Sequence, residues 1–125
     1  MGFIKDSAIG GYQGLELPVY DANFAQGVIK TNSARSAIKL VLSSIEAKKV
    51  WLPAYTCDAV VEAASDIGVT VEFYKVDSSF DVDPALQLKE DEFILIVDYF
   101  GLCGEVVQGS KSRFDHRQMI VDCSQ

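Results

Sequence analysis

The sequence predicts an α/β fold of three layers, with a mostly parallel sheet and helices on both of its faces. Segments with strand character alternate with segments with helix character along residues 28–122, which is typical of parallel α/β sheets. Residues 34–45 show the spacing of an amphipathic helix. The string FILIVD, Phe93–Asp98, is an apolar run of the kind found in strands that are covered on both faces.

The first predicted elements follow a glycine-rich N-terminal arm, residues 1–27, and residues 28–125 are predicted to form the sheet with its helices. Val28–Lys30 reads as a short strand. Either Asn32 or Ser33 can cap the helix that follows. The apolar face of that helix consists of Ala34, Ala37, Ile38, Val41, Leu42 and Ile45.

The remaining elements alternate in the same way. A buried strand, Val50–Pro53, precedes a second helix that Thr56 or Asp58 can cap and that Gly68 ends. After it the sequence predicts a strand at Thr70–Val76, a helical turn with Pro84 at its first position, the strand at Phe93–Asp98, a loop with one short helix, and a last strand at Met119–Asp122.

Composition and charge exclude several classes of protein. The 125 residues are 49% hydrophobic, enough for a core, and no apolar run reaches the roughly 20 residues of a membrane helix. The N-terminus also lacks the apolar stretch of a signal peptide, so we expect a cytoplasmic, soluble protein. The net charge of −7 is uneven, with +2 in residues 1–56 and −9 in residues 57–125, and it argues against nucleic acid as a partner. The three cysteines are expected to be reduced and mostly buried.

A candidate anion site lies at the start of the first helix. In parallel sheets ligands bind beyond the carboxyl ends of the strands, and the segment TNSARSA, residues 31–37, passes there through small residues. The first amides of a helix have no intrahelical acceptor and, with the helix dipole, suit a phosphate. An ordinary capped helix without a ligand fits the same pattern.

Two further residues are candidates at the same edge of the sheet. Tyr55, after the strand at Val50–Pro53, can stack on a planar ligand or pack in the core. Asp122 ends an apolar strand, where a carboxylate is costly to bury unless it is paired. It either caps the next element or faces a cationic group of a ligand. The only histidine, His116, lies between charged residues and reads as a surface residue rather than a catalytic base.

Four strings, in this order, resemble segments of the pyridoxal-phosphate-dependent aminotransferases of the DegT/StrS type. NSARSAIKLVL resembles SSGTAALHLAL of that family, and VWLPAYTCDAVVEAASDIGVTVEFYKVD resembles VIVPAFTFVATANAILYAGAKPVFVDID. VDYFGLCG and IVDCSQ resemble VHLFGLP and IEDAAQ. The resemblance covers nearly all of this chain but only the first third or so of such an enzyme. It therefore implies an incomplete large domain of a fold-type-I transferase. A Rossmann oxidoreductase is disfavoured, because the early glycines neither follow a strand nor open a helix.

The resemblance implies a set of cofactor-binding residues. Ala34, Arg35 and Ser36 fall on the positions that hold the phosphate of pyridoxal 5'-phosphate, Asp122 falls on the acid that pairs with the pyridine nitrogen, and Gln125 falls on the residue that reaches the ring oxygen. Arg35 replaces a threonine, and its charge suits a phosphate if the side chain turns inward. Cys57 replaces the aromatic residue that stacks on the ring, so Tyr55 or Phe100 would have to take its place.

The resemblance also implies what this chain does not contain. None of its eight lysines has the sequence context of the lysine to which the family attaches the cofactor, so we expect no catalytic residue, no metal site and no activity of these 125 residues alone. The expected function is that of the N-terminal part of a homodimeric aminotransferase that moves an amino group from an amino acid to a nucleotide-linked keto-sugar. The alternative is a degenerate, non-catalytic relative that serves as a binding or assembly module.

The resemblance has one consequence for the edge of the sheet. In the family the strand that corresponds to Val28–Lys30 pairs with strands that follow residue 125. Without those partners the strand would be an exposed edge. We therefore expect the chain, as a fragment, to self-associate or to rearrange its N-terminus.

Overall fold

The computed structural model describes residues 27–124, which form a four-stranded parallel sheet with the order β2-β1-β3-β4. The predicted α/β class is confirmed. The strands are β1 (Lys49–Pro53), β2 (Thr70–Tyr74), β3 (Glu92–Val97) and β4 (Met119–Asp122), and the helices are α1 (Ala34–Ser44), α2 (Asp58–Ser65) and α3 (Gly104–Arg113), with 3-10 turns at Tyr99–Gly101 and His116–Gln118.

The register brings the carboxyl ends of the strands to one edge of the sheet. β1 pairs with β2 from Lys49 opposite Thr70 onward. β3 pairs with β4 up to Val97 opposite Asp122. Because all these pairs are parallel, the segments that follow β1, β3 and β4 leave the sheet at the same edge. This is the edge at which parallel α/β sheets bind their ligands.

The central strand β3 packs into a separate apolar cluster on each face of the sheet. Leu95 and Val97 belong to the cluster that contains α1 and α2 residues, whereas Ile94 and Ile96 belong to a cluster on the other face. Phe114, at the end of α3, is buried in the second cluster. Successive side chains of a strand point to opposite faces, so the continuous apolar run of β3 reflects cover on both sides, as predicted.

The ends of the two helices on the first face differ from each other. Ser33, one of the two predicted caps, caps α1 in an extended conformation, and its side chain accepts a hydrogen bond from the Ser36 amide at 3.2 Å. For α2 both predicted caps are wrong, because Cys57 occupies the capping position without a side-chain hydrogen bond. Asp58 lies instead in the first turn, where its charge complements the helix dipole.

Two other predicted elements are wrong in detail. Val28–Lys30 is not a strand, and Val28 and Ile29 are 59% and 77% exposed. No described strand pairs with them, and three residues without a paired neighbour gain no ladder hydrogen bonds. Pro84 begins a hydrogen-bonded turn rather than a helix, in which the Asp83 carboxylate accepts the Ala85 amide at 2.8 Å. Residues 1–26 of the predicted arm and Gln125 lie outside the described residues.

The environment of the cysteines also differs from the prediction. All three are free, but only Cys103 is buried, whereas Cys57 and Cys123 are exposed. The imidazole of His116 is on the surface, as predicted. Within residues 27–124 no helix is long and apolar enough to cross a membrane, and no cluster of potential metal ligands occurs in that part of the chain.

At the opposite, amino-terminal edge of the sheet a buried carboxylate joins β1 to β3. Glu92 is 5% exposed. Its Oε2 accepts a hydrogen bond from Trp51 Nε1 at 2.9 Å, and Lys49 Nζ lies 3.2 Å from its Oε1. Burial alone would raise the pKa of Glu92, but the hydrogen bonds from Trp51, the Lys89 amide and Lys49 outweigh it and hold the pKa below its ordinary value.

We expect Glu92→Gln to lower the free energy of unfolding at pH 7 by about 1–2 kcal/mol, because an amide cannot satisfy both Trp51 and Lys49. Since the folded-state pKa is lowered, the ionised carboxylate stabilises the fold above the ordinary pKa of 4.5, and this contribution is lost as the pH falls through the lower folded value. The difference in the free energy of unfolding between the wild type and the variant should therefore shrink in acid. Urea unfolding followed by circular dichroism between pH 7 and pH 3 measures both effects. The exposed Glu90→Gln is the control, and an equal loss in both variants would contradict the prediction.

Candidate functional site

A cavity of about 280 Å³ opens between the first half of α1 and the end of β4. Most of its lining is apolar, but it reaches Ala34 at the helix N-terminus and Asp122 at the strand end. The structure thus brings the start of α1 and the acid of β4 to one cavity. The complete lining comprises Ala34, Ala37, Ile38 and Val41 of α1 and residues 120–124 of and after β4.

The start of α1 carries unused hydrogen-bond donors. The amides of Ala34 and Arg35 have no acceptor among residues 27–124. The Ser36 amide, in contrast, already donates to the Ser33 hydroxyl. The Ser33 hydroxyl donates in turn to Ser36 Oγ at 3.1 Å, which leaves the Ser36 hydroxyl hydrogen available. Two amides and one hydroxyl can therefore donate to an anion at this end of the helix.

Asp122 is half-buried and uses only one of its carboxylate oxygens within the described chain. Its Oδ1 accepts the Ser124 amide at 2.9 Å. Its backbone carbonyl accepts the Asp98 amide at 2.9 Å, which holds the end of β4 against the loop after β3. The bond to Ser124 is a local one, between residues two apart, and no further helix or strand follows β4 among the described residues for Asp122 to cap. The second oxygen, Oδ2, has no partner among residues 27–124 and can accept a donor from a ligand.

Tyr55 and Cys57 line a different, neighbouring cavity of about 200 Å³ together with Thr56 and Tyr99. The Tyr55 ring lies 5.6 Å from the Tyr99 ring, yet Tyr55 remains 59% exposed. Tyr55 is thus an exposed wall of this cavity rather than a core residue. Because β3 lies between β1 and β4 in the sheet, the two cavities follow strands that are roughly 10 Å apart.

Tyr99 is a residue of this edge that sequence reasoning missed. Its hydroxyl donates to the backbone carbonyl of Tyr55, which ties the loop after β3 to the loop after β1. Burial, with smaller effects of Cys103 and Tyr55, raises the pKa of Tyr99 to about 12, so the hydroxyl keeps its proton. An aromatic residue directly after a buried strand was the only sequence signal for this role.

The next residue, Phe100, has a left-handed backbone with φ of 58° and is 64% exposed. A non-glycine residue in this region is strained. Phe100 lines neither of the two cavities described above, so the structure does not place it beside Asp122.

Arg35 does not point its charge at the helix N-terminus. Its guanidinium lies 2.8 Å from the carboxylate of Glu62 on α2, and both side chains are about half exposed. Of the seven residues predicted from the sequence, the structure therefore brings Ala34 and Asp122 to one cavity, whereas Ser36, on the first turn of α1, does not line it. It places Tyr55 and Cys57 in a second cavity and turns Arg35 toward α2.

Comparison with known proteins gives a fold but no family. No protein-family model matches the chain, and no curated protein matches it either. Among solved structures, the PMP form of Spr1654 from Streptococcus pneumoniae, named as a sugar aminotransferase, matches with a TM-score of 0.56 at 22% identity. That match covers 75% of this chain and 30% of the other. The PLP form of the same protein matches with a TM-score of 0.53 at 23% identity and covers 74% and 26% of the two chains. The described chain therefore shares the fold of one part of that protein and spans less than a third of its length.

Proposed function

We propose that this chain is the N-terminal part of the large domain of a pyridoxal-phosphate-dependent aminotransferase, and that the cavity between α1 and β4 binds the cofactor. The observation that carries the proposal is that Ala34, at a helix N-terminus with unused amides, and Asp122, with an unused carboxylate oxygen, line the same cavity. These are the two ends at which such a cofactor is charged: a phosphate and a ring nitrogen.

The chemistry of the available groups fits the cofactor. The amides of Ala34 and Arg35 and the Ser36 hydroxyl are donors beside a positive helix end, which suits a phosphate dianion. Asp122 is an acceptor with a negative charge, which suits a protonated ring nitrogen. The apolar side chains of Ile38 and Ile120, which line the same cavity, suit an aromatic ring.

Each residue would have a distinct task. Bound pyridoxal phosphate supplies a ring that accepts electrons from a substrate carbon. The first turn of α1 would fix the phosphate and thereby the position of the ring. Asp122 would hold a proton on the ring nitrogen, because the carboxylate stabilises the protonated form. Tyr55 and Cys57 are proposed to face the ring from the neighbouring cavity, and Gln125 is proposed as a contact of the ring oxygen.

The substrate class is part of the same proposal. We propose nucleotide-linked keto-sugars as amino acceptors and an amino acid as donor, in a cytoplasmic homodimer. The support is the resemblance of the four sequence strings, together with the fold likeness to a protein that is named as a sugar aminotransferase. Amino-group transfer is not expected from the 125-residue chain alone, because no lysine in it has the context of the family's cofactor-binding lysine.

Binding of pyridoxamine 5'-phosphate tests the proposal. This form of the cofactor carries an amine, so it cannot react with the eight lysines of the chain as an aldehyde would. We expect isothermal titration of the 125-residue chain to show saturable binding of pyridoxamine phosphate. Pyridoxamine, which lacks the phosphate, should bind at least tenfold more weakly, because it forgoes the charge-assisted hydrogen bonds at α1.

The result also separates the proposal from the alternative of a non-catalytic module. Equal affinity for pyridoxamine and its phosphate would contradict a phosphate site at α1. No binding of either compound would contradict the cofactor site and favour the binding or assembly module.

A further inference from the structure

Two parallel ion pairs join α1 to α2. Arg35 lies 2.8 Å from Glu62, and Lys39 lies 2.6 Å from Asp66. The partners are four residues apart on each helix, so the second pair repeats the first one turn further along. In all four side chains at least a third of the surface is exposed, and exposed pairs of this kind contribute little to stability.

The two pairs differ in their distance from the start of α1. Arg35 is the second residue of the helix, next to the unused amides, whereas Lys39 lies four residues and about 6 Å further along the axis. A guanidinium on the first turn can reach an anion at the helix N-terminus by a change of side-chain rotamer alone. Lys39 is too far along the helix for the same exchange.

We propose that Arg35 is a phosphate contact of the cofactor site and that Glu62 competes with the phosphate for it. The proposal rests on the proposed function, because it needs a phosphate at the start of α1. Arginine binds carboxylate and phosphate with the same forked donors. A phosphate carries more charge than a single carboxylate, so Arg35 exchanges one partner for the other when the cofactor binds. Without the cofactor, Glu62 thus holds the guanidinium on the α2 side of the helix, and this competition weakens the affinity of the site for the cofactor.

The matched variants Glu62→Gln and Asp66→Asn test the exchange, because each removes one negative charge from α2. Titration with pyridoxamine 5'-phosphate at low salt is expected to show two- to fivefold tighter binding for Glu62→Gln. This is the change in affinity that corresponds to the free energy of an exposed ion pair. Asp66→Asn should bind as the wild type does. In an Arg35→Gln background, Glu62→Gln should no longer tighten binding, and Arg35→Gln alone should weaken it.

The outcomes distinguish this inference from the proposed function. If the wild type binds pyridoxamine phosphate but Glu62→Gln does not bind it more tightly, the exchange is refuted and the cofactor site stands. Equal tightening by Glu62→Gln and Asp66→Asn, or tightening that persists without Arg35, would show a general charge effect and refute it as well. If neither the wild type nor Glu62→Gln binds the compound, the cofactor site and the exchange both fail. Circular dichroism spectra check that each variant is folded.

Discussion

Replacing Leu95 by alanine is expected to lower the free energy of unfolding by about 3 kcal/mol, the middle of the range for large-to-small substitutions in a core. Leu95 is fully buried at the centre of β3, in the cluster that joins the sheet to α1 and α2. Its side chain is surrounded by other buried side chains of the same cluster, among them Val50 and Leu52 of β1, so its removal leaves a cavity. A small domain has a total stability of roughly 5–15 kcal/mol, so this loss is a large part of it.

The matched control is Leu40→Ala, the same substitution on the outer side of α1, where Leu40 is 40% exposed. Alanine is a better helix former than leucine, which offsets part of the lost contact, so a change below about 0.5 kcal/mol is expected. Urea unfolding monitored by circular dichroism gives both values. A Leu95→Ala variant as stable as the Leu40→Ala variant would mean that the sheet is not packed against α1 and α2.

The sequence correctly predicted those helices and strands whose buried face follows from the spacing of their own apolar residues. The face of α1, the short strand β1, the apolar run of β3 and the terminal strand β4 each satisfy a helix or strand period without reference to a partner. Ile38 and Leu42 are buried because they lie one helical turn apart on the same face.

The wrong predictions concern features that depend on contacts with another part of the structure. Val28–Lys30 has the composition of a strand, but a strand needs a neighbour, and none of the described strands pairs with it. Cys57 occupies the capping position of α2, although Thr56 and Asp58 beside it are better capping residues. The separation of Tyr55 from Asp122 reflects the strand order, since β3 lies between their strands. The expected self-association stays a prediction.

At the candidate site, the direction of the Arg35 side chain could not be predicted from the sequence either, because it depends on the contact with Glu62. The sequence has a charge where the family that it resembles has a hydroxyl, but the direction of a flexible side chain depends on which opposite charge is within reach. Glu62 is 27 residues away in the sequence and becomes a neighbour only because α1 and α2 pack side by side. The residues fixed by the backbone, Ala34 and Asp122, meet as their positions at the ends of α1 and β4 predicted.

Asp122→Asn is expected to weaken the binding of pyridoxamine 5'-phosphate by about ten- to a hundredfold, because a charge-assisted hydrogen bond contributes roughly 1.5–3 kcal/mol. Asparagine keeps an oxygen in the Oδ1 position, so the bond from the Ser124 amide that orders the end of β4 can persist. What it loses is the negative charge that is proposed to face the ring nitrogen. The variant should therefore unfold at the same urea concentration as the wild type while binding the compound more weakly.

The control variant carries the same substitution at Asp91, directly before β3, the strand that pairs with β4. Asp91 is exposed and precedes β3 at the amino-terminal edge of the sheet, opposite to Asp122. Asp91→Asn changes the net charge equally, so general electrostatic repulsion of the phosphate is the same within the limits of screening. If both variants bind the compound as the wild type does, Asp122 does not contact the ring. If only Asp122→Asn loses affinity, and loses it equally for pyridoxamine, the carboxylate acts on the ring nitrogen while α1 acts on the phosphate.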